Sequence, residues 1–461
     1  MSTNAATTQV APKIGSFTRA SPYWIDDWRP EDPHFWENGG KVIARRNLIF
    51  SILSEHIGFS IWSLWSVFVL FLGPAYGFDP SQKFLLAAMP AAVGSLVRLP
   101  YSFAVARFGG RNWTIFSALL LIVPCVLAGL ALKPGVSFST LLIVAMTAGV
   151  GGGNFASSMV NISTYYPQRL KGWALGLNAG GGNIGVAAAQ LVGLAVLATA
   201  GAAHPRMLLM IYIPLIGISA LCASLFMNNL SQVRNDKRAL RDVTKDGHTW
   251  VLSFLYIGTF GSFIGFSFAF GQVLLVQFPE SFPKPLDAAY ITFLGPLIGS
   301  LVRPIGGILA DRIGGSKVTF WNFVGMAAAA GVVLAASLNK SLPLFITGFL
   351  TLFVFAGIGN GSTFKMIPAI FAAKARLATE AGVDDAHATT EARRLSGALI
   401  GIAGAVGALG GVGVNVAFRQ SFLGNGNGNG AYVTFIAFYA VCFLVTWAVY
   451  LRSHKGRLVG V

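Results

Sequence analysis

The sequence predicts an all-α membrane protein with twelve transmembrane helices, arranged as two pseudo-symmetric halves of six. Its 461 residues are 54% hydrophobic and only 11% charged, whereas soluble domains carry about 25% charged residues. Twelve apolar runs are long enough for the about 20 residues that a helix needs to cross a bilayer. The pentapeptide Gly-Ser-Leu-Val-Arg occurs at 94–98 and again at 299–303. This repetition indicates that the two halves are related.

The apolar runs divide the chain into two bundles. An N-terminal tail over 1–46 precedes a six-helix bundle over 47–228, and a basic linker over 229–249 leads to a second bundle over 250–452 and a tail over 453–461. The first tail has no apolar core with a small-residue cleavage site, so no signal peptide is predicted. The predicted spans lie near 47–73, 84–106, 113–132, 139–165, 172–200, 207–228, 250–277, 286–310, 317–338, 342–370, 395–418 and 431–451.

The basic residues lie mostly in the two tails, the linker and alternate loops. A net charge of +16 in a soluble chain can indicate nucleic-acid binding. Here the asymmetry follows the positive-inside rule, which places both termini in the cytoplasm. We therefore expect a lipid bilayer around the chain and no nucleic-acid partner.

Each copy of the repeat places one arginine, Arg98 or Arg303, inside an apolar run, and the match extends without gaps from 94–114 to 299–319. An arginine at bilayer depth costs roughly 2.5–3.5 kcal/mol on insertion scales. Secondary transporters are built from repeated halves with their sites near the midplane. The arginine pair therefore predicts one central site for an anion.

Glycine-rich runs occupy the fourth, fifth and eleventh spans. Small residues allow membrane helices to approach closely, which accounts for most of these glycines. Packing accounts less well for Asn154, Asn178 and Asn183, because amides inside a bilayer usually serve hydrogen bonding or function. The glycines that we single out are Gly151, Gly152, Gly180, Gly181, Gly407 and Gly410.

Several of these motifs resemble those of known transporters. The segment 307–317, with Asp311 and Arg312, resembles the loop signature of the major facilitator superfamily, although the first copy has Ala106 before Arg107. In that family this loop braces the helices and gates their rocking. The glycine runs are similar to the signatures of the nitrate/nitrite porter family within this superfamily. The segments DWRPEDPHFW and LYIGTFGSFIGF are similar to bacterial members.

The resemblance implies the major facilitator fold and a secondary active transporter, not an enzyme. Such a protein moves nitrate and nitrite across the bacterial cytoplasmic (inner) membrane by alternating access, as a monomer without a cofactor or a metal. The two arginines would clamp the planar anion, an asparagine and a tyrosine would contact it, and two phenylalanine rings would stack beside it. By motif position these residues are Arg98, Arg303, Asn183, Tyr256, Phe155 and Phe260.

The energy source is left open between two modes. Glu55 is a carboxylate within the first span and His56 adjoins it; intramembrane carboxylates and histidines carry protons in transporters. This favours nitrate/proton symport. If both side chains are structural, the fixed positive charge favours nitrate/nitrite exchange. Lys365 adds a third cation, expected near the midplane, whose role is open between repelling protons, extending the anion field and reaching an interface.

Other functions remain alternatives at this stage. An exchanger of organophosphate or phosphate also uses paired arginines, but the small-residue site argues against a bulky substrate. A passive anion channel would show flux that depends on neither counter-ion nor pH. A sensor would need a signalling extension, and neither tail is long enough. The sequence shows no nucleophile–base set or metal cluster of an enzyme.

Overall fold

The computed structural model describes residues 23–233, 236–452, 458 and 461. Within these residues twelve helices are long and apolar enough to cross a membrane, as the sequence predicts. The predicted tails at 1–22 and over most of 453–461 lie outside the described residues. The helices are α1 (Pro33–Phe71), α2 (Pro80–Phe108), α3 (Gly110–Ala131), α4 (Phe138–Tyr165), α5 (Gln168–Ala200), α6 (Arg206–Phe226), α7 (Gly247–Gln277), α8 (Pro285–Ile313), α9 (Gly315–Leu338), α10 (Leu342–Glu380), α11 (Asp385–Asn425) and α12 (Asn429–Leu451).

The segment before α1 packs on the end of the bundle where α6 ends and α7 begins, which we call the linker end. Its strand β1 (Trp24–Ile25) pairs in parallel with β2 (Asn229–Leu230). The ring of Trp28 is buried, as is that of Trp36 in the first turn of α1, and Trp28 contacts Tyr165 edge-on. The described part of the N-terminal tail is therefore a packed element of the first half.

Polar segments near the linker end are more helical than the apolar runs predict. The linker contains a short helix, Lys237–Thr244, and α10 and α11 extend well beyond their apolar parts. Between α10 and α11 the chain turns at Gly382, which has a φ of +96°. The Asp384 side chain then caps α11 by accepting from the His387 amide. Hydropathy marks the length in lipid and not the length of the helix, which explains the difference.

The helices α1 and α7 lie at the centre of the molecule. In their most apolar windows 83% and 89% of residues are buried, against 28% for α12, which therefore faces outward. A π-helical turn, Ile257–Gly261, interrupts α7. Such turns insert one residue and often mark functional sites. This turn brings the rings of Tyr256 and Phe260 parallel, with centroids 5.2 Å apart.

Candidate functional site

The two repeat arginines occupy matched positions. Arg98 lies eighteen positions after the first residue of α2 and ten before its last, and Arg303 has the same place in α8. Both side chains are buried, with exposed fractions of 1% and 6%. Neither takes part in the ion pairs that join described residues. The repeat thus places two buried cations at the same depth of the two halves.

Arg98 is held by backbone carbonyls from both halves. Its Nε donates to the Gly152 carbonyl of α4 at 3.1 Å, and its Nη1 donates to the Gly404 carbonyl of α11 at 2.5 Å. Its Nη2 is buried and has no hydrogen-bond partner among the described residues. Two of the three nitrogens therefore fix the guanidinium, and the third nitrogen is left without a partner in the described part of the chain.

Aromatic rings from both halves surround the Arg98 guanidinium. Its carbon lies 4.7 Å from the ring centroid of Phe155, 5.0 Å from that of Phe260 and 5.4 Å from that of Trp62. The Phe155 and Phe260 centroids are 6.2 Å apart, with planes inclined by 27°. Cation–π contact stabilises a desolvated guanidinium. These rings also help to bury the arginine, which is 1% exposed.

Arg303 is connected to the same cluster through Tyr256. Its Nη2 donates to the Tyr256 hydroxyl at 3.3 Å, and Tyr256 in turn stacks on Phe260. The Phe364 ring centroid lies 5.8 Å from its guanidinium carbon. Its Nη1 is buried without a partner in the described part of the chain. Each half therefore presents one buried, unpaired guanidinium nitrogen.

A cavity of about 60 Å³ opens beside Arg98. It extends from Phe155 toward Ser163 of α4 and Gly397 of α11, which lie toward the linker end. Because its walls come from both halves, a small ion entering there would reach Arg98 between them.

The opposite end of the molecule is closed by contacts between the halves. Phe84 of α2 stacks on Phe418 and Phe422 of α11, with centroids 5.7 and 5.4 Å away. The Gln190 side chain of α5 donates to the Ser267 carbonyl of α7 at 2.7 Å. The site is thus accessible from the linker end and shielded from the other end.

Glu55 lies in a polar cluster within the first half. It is fully buried, and its Oε2 accepts hydrogen bonds from the Ser158 hydroxyl and from the Asn178 amide, the latter at 2.6 Å. Its Oε1 has no partner among the described residues. His56 has its own partner, with Nδ1 at 3.1 Å from the Gly181 carbonyl of α5, and takes no part in this cluster. The structure therefore separates two residues that the sequence predicted as a pair.

Asn183 is fully buried on α5. Neither its amide nitrogen nor its amide oxygen has a hydrogen-bond partner among the described residues. Buried amides in proteins are nearly always hydrogen-bonded. The other predicted site residues contact one another, namely Arg98, Arg303, Phe155, Tyr256 and Phe260. No hydrogen bond joins Asn183 to them in the described part of the chain. Its place at the ligand therefore stays a prediction.

The expected midplane position of the Lys365 charge is wrong. Its Nζ pairs with the Asp311 carboxylate at 2.7 Å, and both side chains are partly exposed. Asp311 lies eight residues beyond Arg303, which is about 12 Å along α8. The long lysine stem carries the charge toward the linker end, as snorkelling side chains do. Arg107 and Arg312 are exposed near the ends of α2 and α8 at the same side.

Most of the singled-out glycines lie at close helix contacts. A Cβ on Gly151 would lie 2.2 Å from the Gly58 carbonyl oxygen, and one on Gly407 would lie 2.4 Å from the Tyr256 ring. Gly180, by contrast, faces open space. A Cβ on any of the remaining members would also lie within 2.8 Å of a neighbouring atom, namely on Gly152, Gly181 and Gly410. Packing therefore explains the whole set except Gly180.

Three contacts of the arginines were not predicted. They come from Trp62, Gly404 and Phe364. Gly404 lies in the glycine run of α11, and Trp62 lies two helical turns after Glu55 on the same face of α1. These spacings could have indicated both residues, whereas nothing in the local sequence marks Phe364.

Comparisons with known proteins agree with this architecture. Residues 50–414 match the family model described as Major Facilitator Superfamily. A nitrate/nitrite transporter NarU of Salmonella typhimurium is 39% identical, covering 93% of this chain and 96% of the relative. A probable nitrate/nitrite antiporter NarK2 of Thermus thermophilus is 34% identical, covering 93% and 97%.

Solved structures show the same fold at low identity. A D-xylose–proton symporter superposes with a TM-score of 0.63 at 14% identity, covering 88% of this chain and 97% of that one. The nucleoside transporter NupG gives 0.59 at 15% identity, covering 89% and 100%. With the twelve helices, the family model and the relatives, the chain belongs to the nitrate/nitrite porter family of the major facilitator superfamily.

Proposed function

We propose that this chain moves nitrate and nitrite across the bacterial cytoplasmic membrane by alternating access. In this proposal the anion binds between Arg98 and Arg303, the linker end faces the cytoplasm, and both termini lie there. The complete arginine cluster comes from one chain, which favours a monomer as the working unit. The names of the relatives support these substrates.

The single observation that carries the proposal is the unpaired donor on each half. Arg98 Nη2 and Arg303 Nη1 are buried without a partner among the described residues. Leaving a buried neutral donor without a partner costs about 1–3 kcal/mol of stability, and leaving a charged donor unpaired costs more. A planar oxyanion can accept hydrogen bonds from both guanidinium groups, whose flat geometry suits it. Binding would therefore satisfy both donors at once.

The surroundings favour a small anion over a bulky one. The cavity beside Arg98 has a volume of about 60 Å³, and Phe155, Phe260 and Trp62 occupy the space around the guanidinium. An organophosphate would need room for its organic part. Nitrate and nitrite need only a narrow site that a few aromatic rings can keep dry.

The placement of the two arginines supports alternating access. They lie on different halves, so an anion that bridges them favours approach of the halves. Arg98 already contacts Gly404 across the halves, and the end remote from the linker is closed by stacked rings. Opening that end while closing the cavity at the linker end would move the anion across. Two couplings fit this cycle: exchange of nitrate for nitrite, and nitrate/proton symport.

Reconstituted vesicles test the proposal. We expect uptake of labelled nitrate into liposomes that hold the full chain, with competition by unlabelled nitrate and nitrite. Glycerol phosphate should not compete, because the site excludes its organic part. Equal competition by glycerol phosphate would favour the organophosphate alternative. Flux that needs neither a counter-anion nor a pH gradient would favour a passive channel.

A further inference from the structure

Glu55 is a buried carboxylate that the arginine clamp does not use. Ser158 of α4 and Asn178 of α5 donate to one of its oxygens, and the other has no partner in the described part of the chain. A Cβ on Gly182 would lie 2.2 Å from this second oxygen, so only glycine leaves room for the carboxylate. An ionisable group kept inside a membrane bundle with such a fitted site indicates a function.

The charges that act on Glu55 belong to the substrate site. Arg98 of α2 and Arg303 of α8 both interact with it electrostatically. The nearest other titratable group along the chain is His56, which follows Glu55 on α1. His56 faces the Gly181 carbonyl of α5.

Two tyrosines complete the surroundings of this part of α1. On α6, the Tyr212 hydroxyl lies at Ser60, more than one turn away from Glu55 along α1. On α7, Tyr256 contacts Arg303. The charged groups that act on Glu55 are therefore the two arginines, and a bound anion would change their effect.

We propose that Glu55 carries the proton of a nitrate/proton symport, which assigns one of the two couplings left open above and rests on the proposed function. In the empty carrier the Glu55 carboxylate balances one of the two arginines. When nitrate binds, it takes over this balance, and a proton from water joins a carboxylate oxygen to form the neutral acid. Anion and proton therefore bind cooperatively, and each raises the affinity for the other by the same factor.

The charge of the site explains why both ligands must travel together. Two arginines and one carboxylate give a net charge of one positive unit. Two arginines, one nitrate and a protonated Glu55 give the same net charge. Because a change of buried charge is strongly unfavourable, the empty carrier and the fully loaded carrier are the forms that can pass through the closed state. A carrier with only one of the two ligands differs by one charge.

The cavity beside Arg98 is the side from which a proton would reach Glu55. The Asn178 amide that holds Glu55 also lies 3.7 Å from the Met159 sulfur, and Met159 lines the cavity beside Arg98. One layer of side chains thus separates the carboxylate from the cavity. In this proposal rotation of the flexible Met159 side chain admits water to the carboxylate.

The test uses the full chain in liposomes that contain a pH-sensitive dye. With an acidic exterior and no internal anion, external nitrate should enter together with about one proton, which acidifies the lumen. Glu55→Gln should reduce this pH-driven uptake and the acidification to the level of protein-free vesicles. Nitrate/nitrite exchange should persist in this variant, because during exchange an anion is bound each time the carrier passes through the closed state. Glu37→Gln alters an exposed carboxylate paired with Lys41 and should change neither mode.

A second variant keeps the carboxylate and changes only its surroundings. Ser158→Ala removes a donor that stabilises the ionised form, so pH-driven uptake should extend to more alkaline pH. An unchanged pH profile would overturn the proposal, even if Glu55→Gln failed to fold. Nitrate entry into the wild type without protons, or pH-driven uptake that persists in Glu55→Gln, would also overturn it. If the wild type neither takes up nor exchanges nitrate, the proposed function itself fails, which is a different result.

Discussion

Arg98 of α2 donates from Nη1 to the backbone carbonyl of Gly404 on α11, at 2.5 Å across the boundary between the two halves. A Cβ on Gly404 would lie 3.6 Å from both Arg98 Nη1 and the Phe155 ring, an ordinary van der Waals distance, so α11 packs directly against the arginine and its ring. A residue of the proposed substrate site therefore also joins the halves. Movement of one half against the other must change the hydrogen bonding of this arginine.

The first prediction concerns the shape of the two cations. Arg98→Lys or Arg303→Lys keeps the charge but removes the planar fork, so at least one charge-assisted hydrogen bond, worth about 1.5–3 kcal/mol, is lost. Nitrate uptake at low concentration should fall by roughly ten- to a hundredfold, since 1.4 kcal/mol is tenfold. Uptake into proteoliposomes measures this.

Membrane insertion and thermal unfolding of both variants should resemble those of the wild type. Arg206→Lys, at an exposed arginine that begins α6, is the matched control and should leave uptake unchanged. Normal uptake in either site variant would show that positive charge alone is sufficient and would refute the clamp.

The second prediction separates the Tyr256 hydroxyl from its ring. Tyr256→Phe removes the acceptor for Arg303 but retains the stack on Phe260. The KM for nitrate should rise by about tenfold, because a hydrogen bond to a charged group contributes about 1.5–3 kcal/mol. Tyr439→Phe removes another buried hydroxyl, bonded to Ser262 at 2.8 Å, and should leave the KM unchanged. Equal KM values for all three proteins would show that the hydroxyl does not position Arg303.

The sequence predicted the features that depend on local pattern. Hydropathy located twelve spans, and the repeat located Arg98 and Arg303 at matched depth. It did not predict where the Lys365 charge lies, since a position within an apolar run does not determine where a long side chain extends. It also did not predict the Gly404 contact, which depends on how two distant helices pack. Such contacts between halves are tertiary and leave no mark in either helix alone.

The third prediction asks whether Asn183 serves the ligand or the fold. Neither its amide nitrogen nor its amide oxygen has a partner among the described residues, so Asn183→Ala removes no hydrogen bond between them and should not lower the melting temperature. Nitrate affinity should fall if the amide contacts the anion. Asn415→Ala is the structural comparison, because the Asn415 amide donates to the Gly265 and Gly411 carbonyls.

Asn415→Ala should therefore lower the melting temperature. Ligand-dependent thermal shifts measure affinity and stability in one experiment. If Asn183→Ala melted earlier than the wild type and bound nitrate normally, Asn183 would be a packing residue.

The last prediction compares two of the singled-out glycines, one packed against a neighbouring helix and one facing open space. A Cβ on Gly410 would lie 2.7 Å from the Gly261 Cα and 2.9 Å from the Ile257 carbonyl oxygen. Both contacts are backbone atoms of the π-helical turn that carries Phe260, so Gly410→Ala must push α11 away from this turn. Overpacking of this kind costs about 1–3 kcal/mol. Gly180→Ala meets no atom within 4 Å and should leave the stability unchanged.

Melting in detergent and nitrate uptake should therefore both decrease for Gly410→Ala, because the displaced turn also moves the ring that faces Arg98. A stable and active Gly410→Ala protein would mean that α7 and α11 separate at little cost. Conversely, a loss of stability in Gly180→Ala would mean that another helix reaches this glycine in a different state of the transport cycle. The pair thus tests whether close approach, and not glycine itself, is required at these positions.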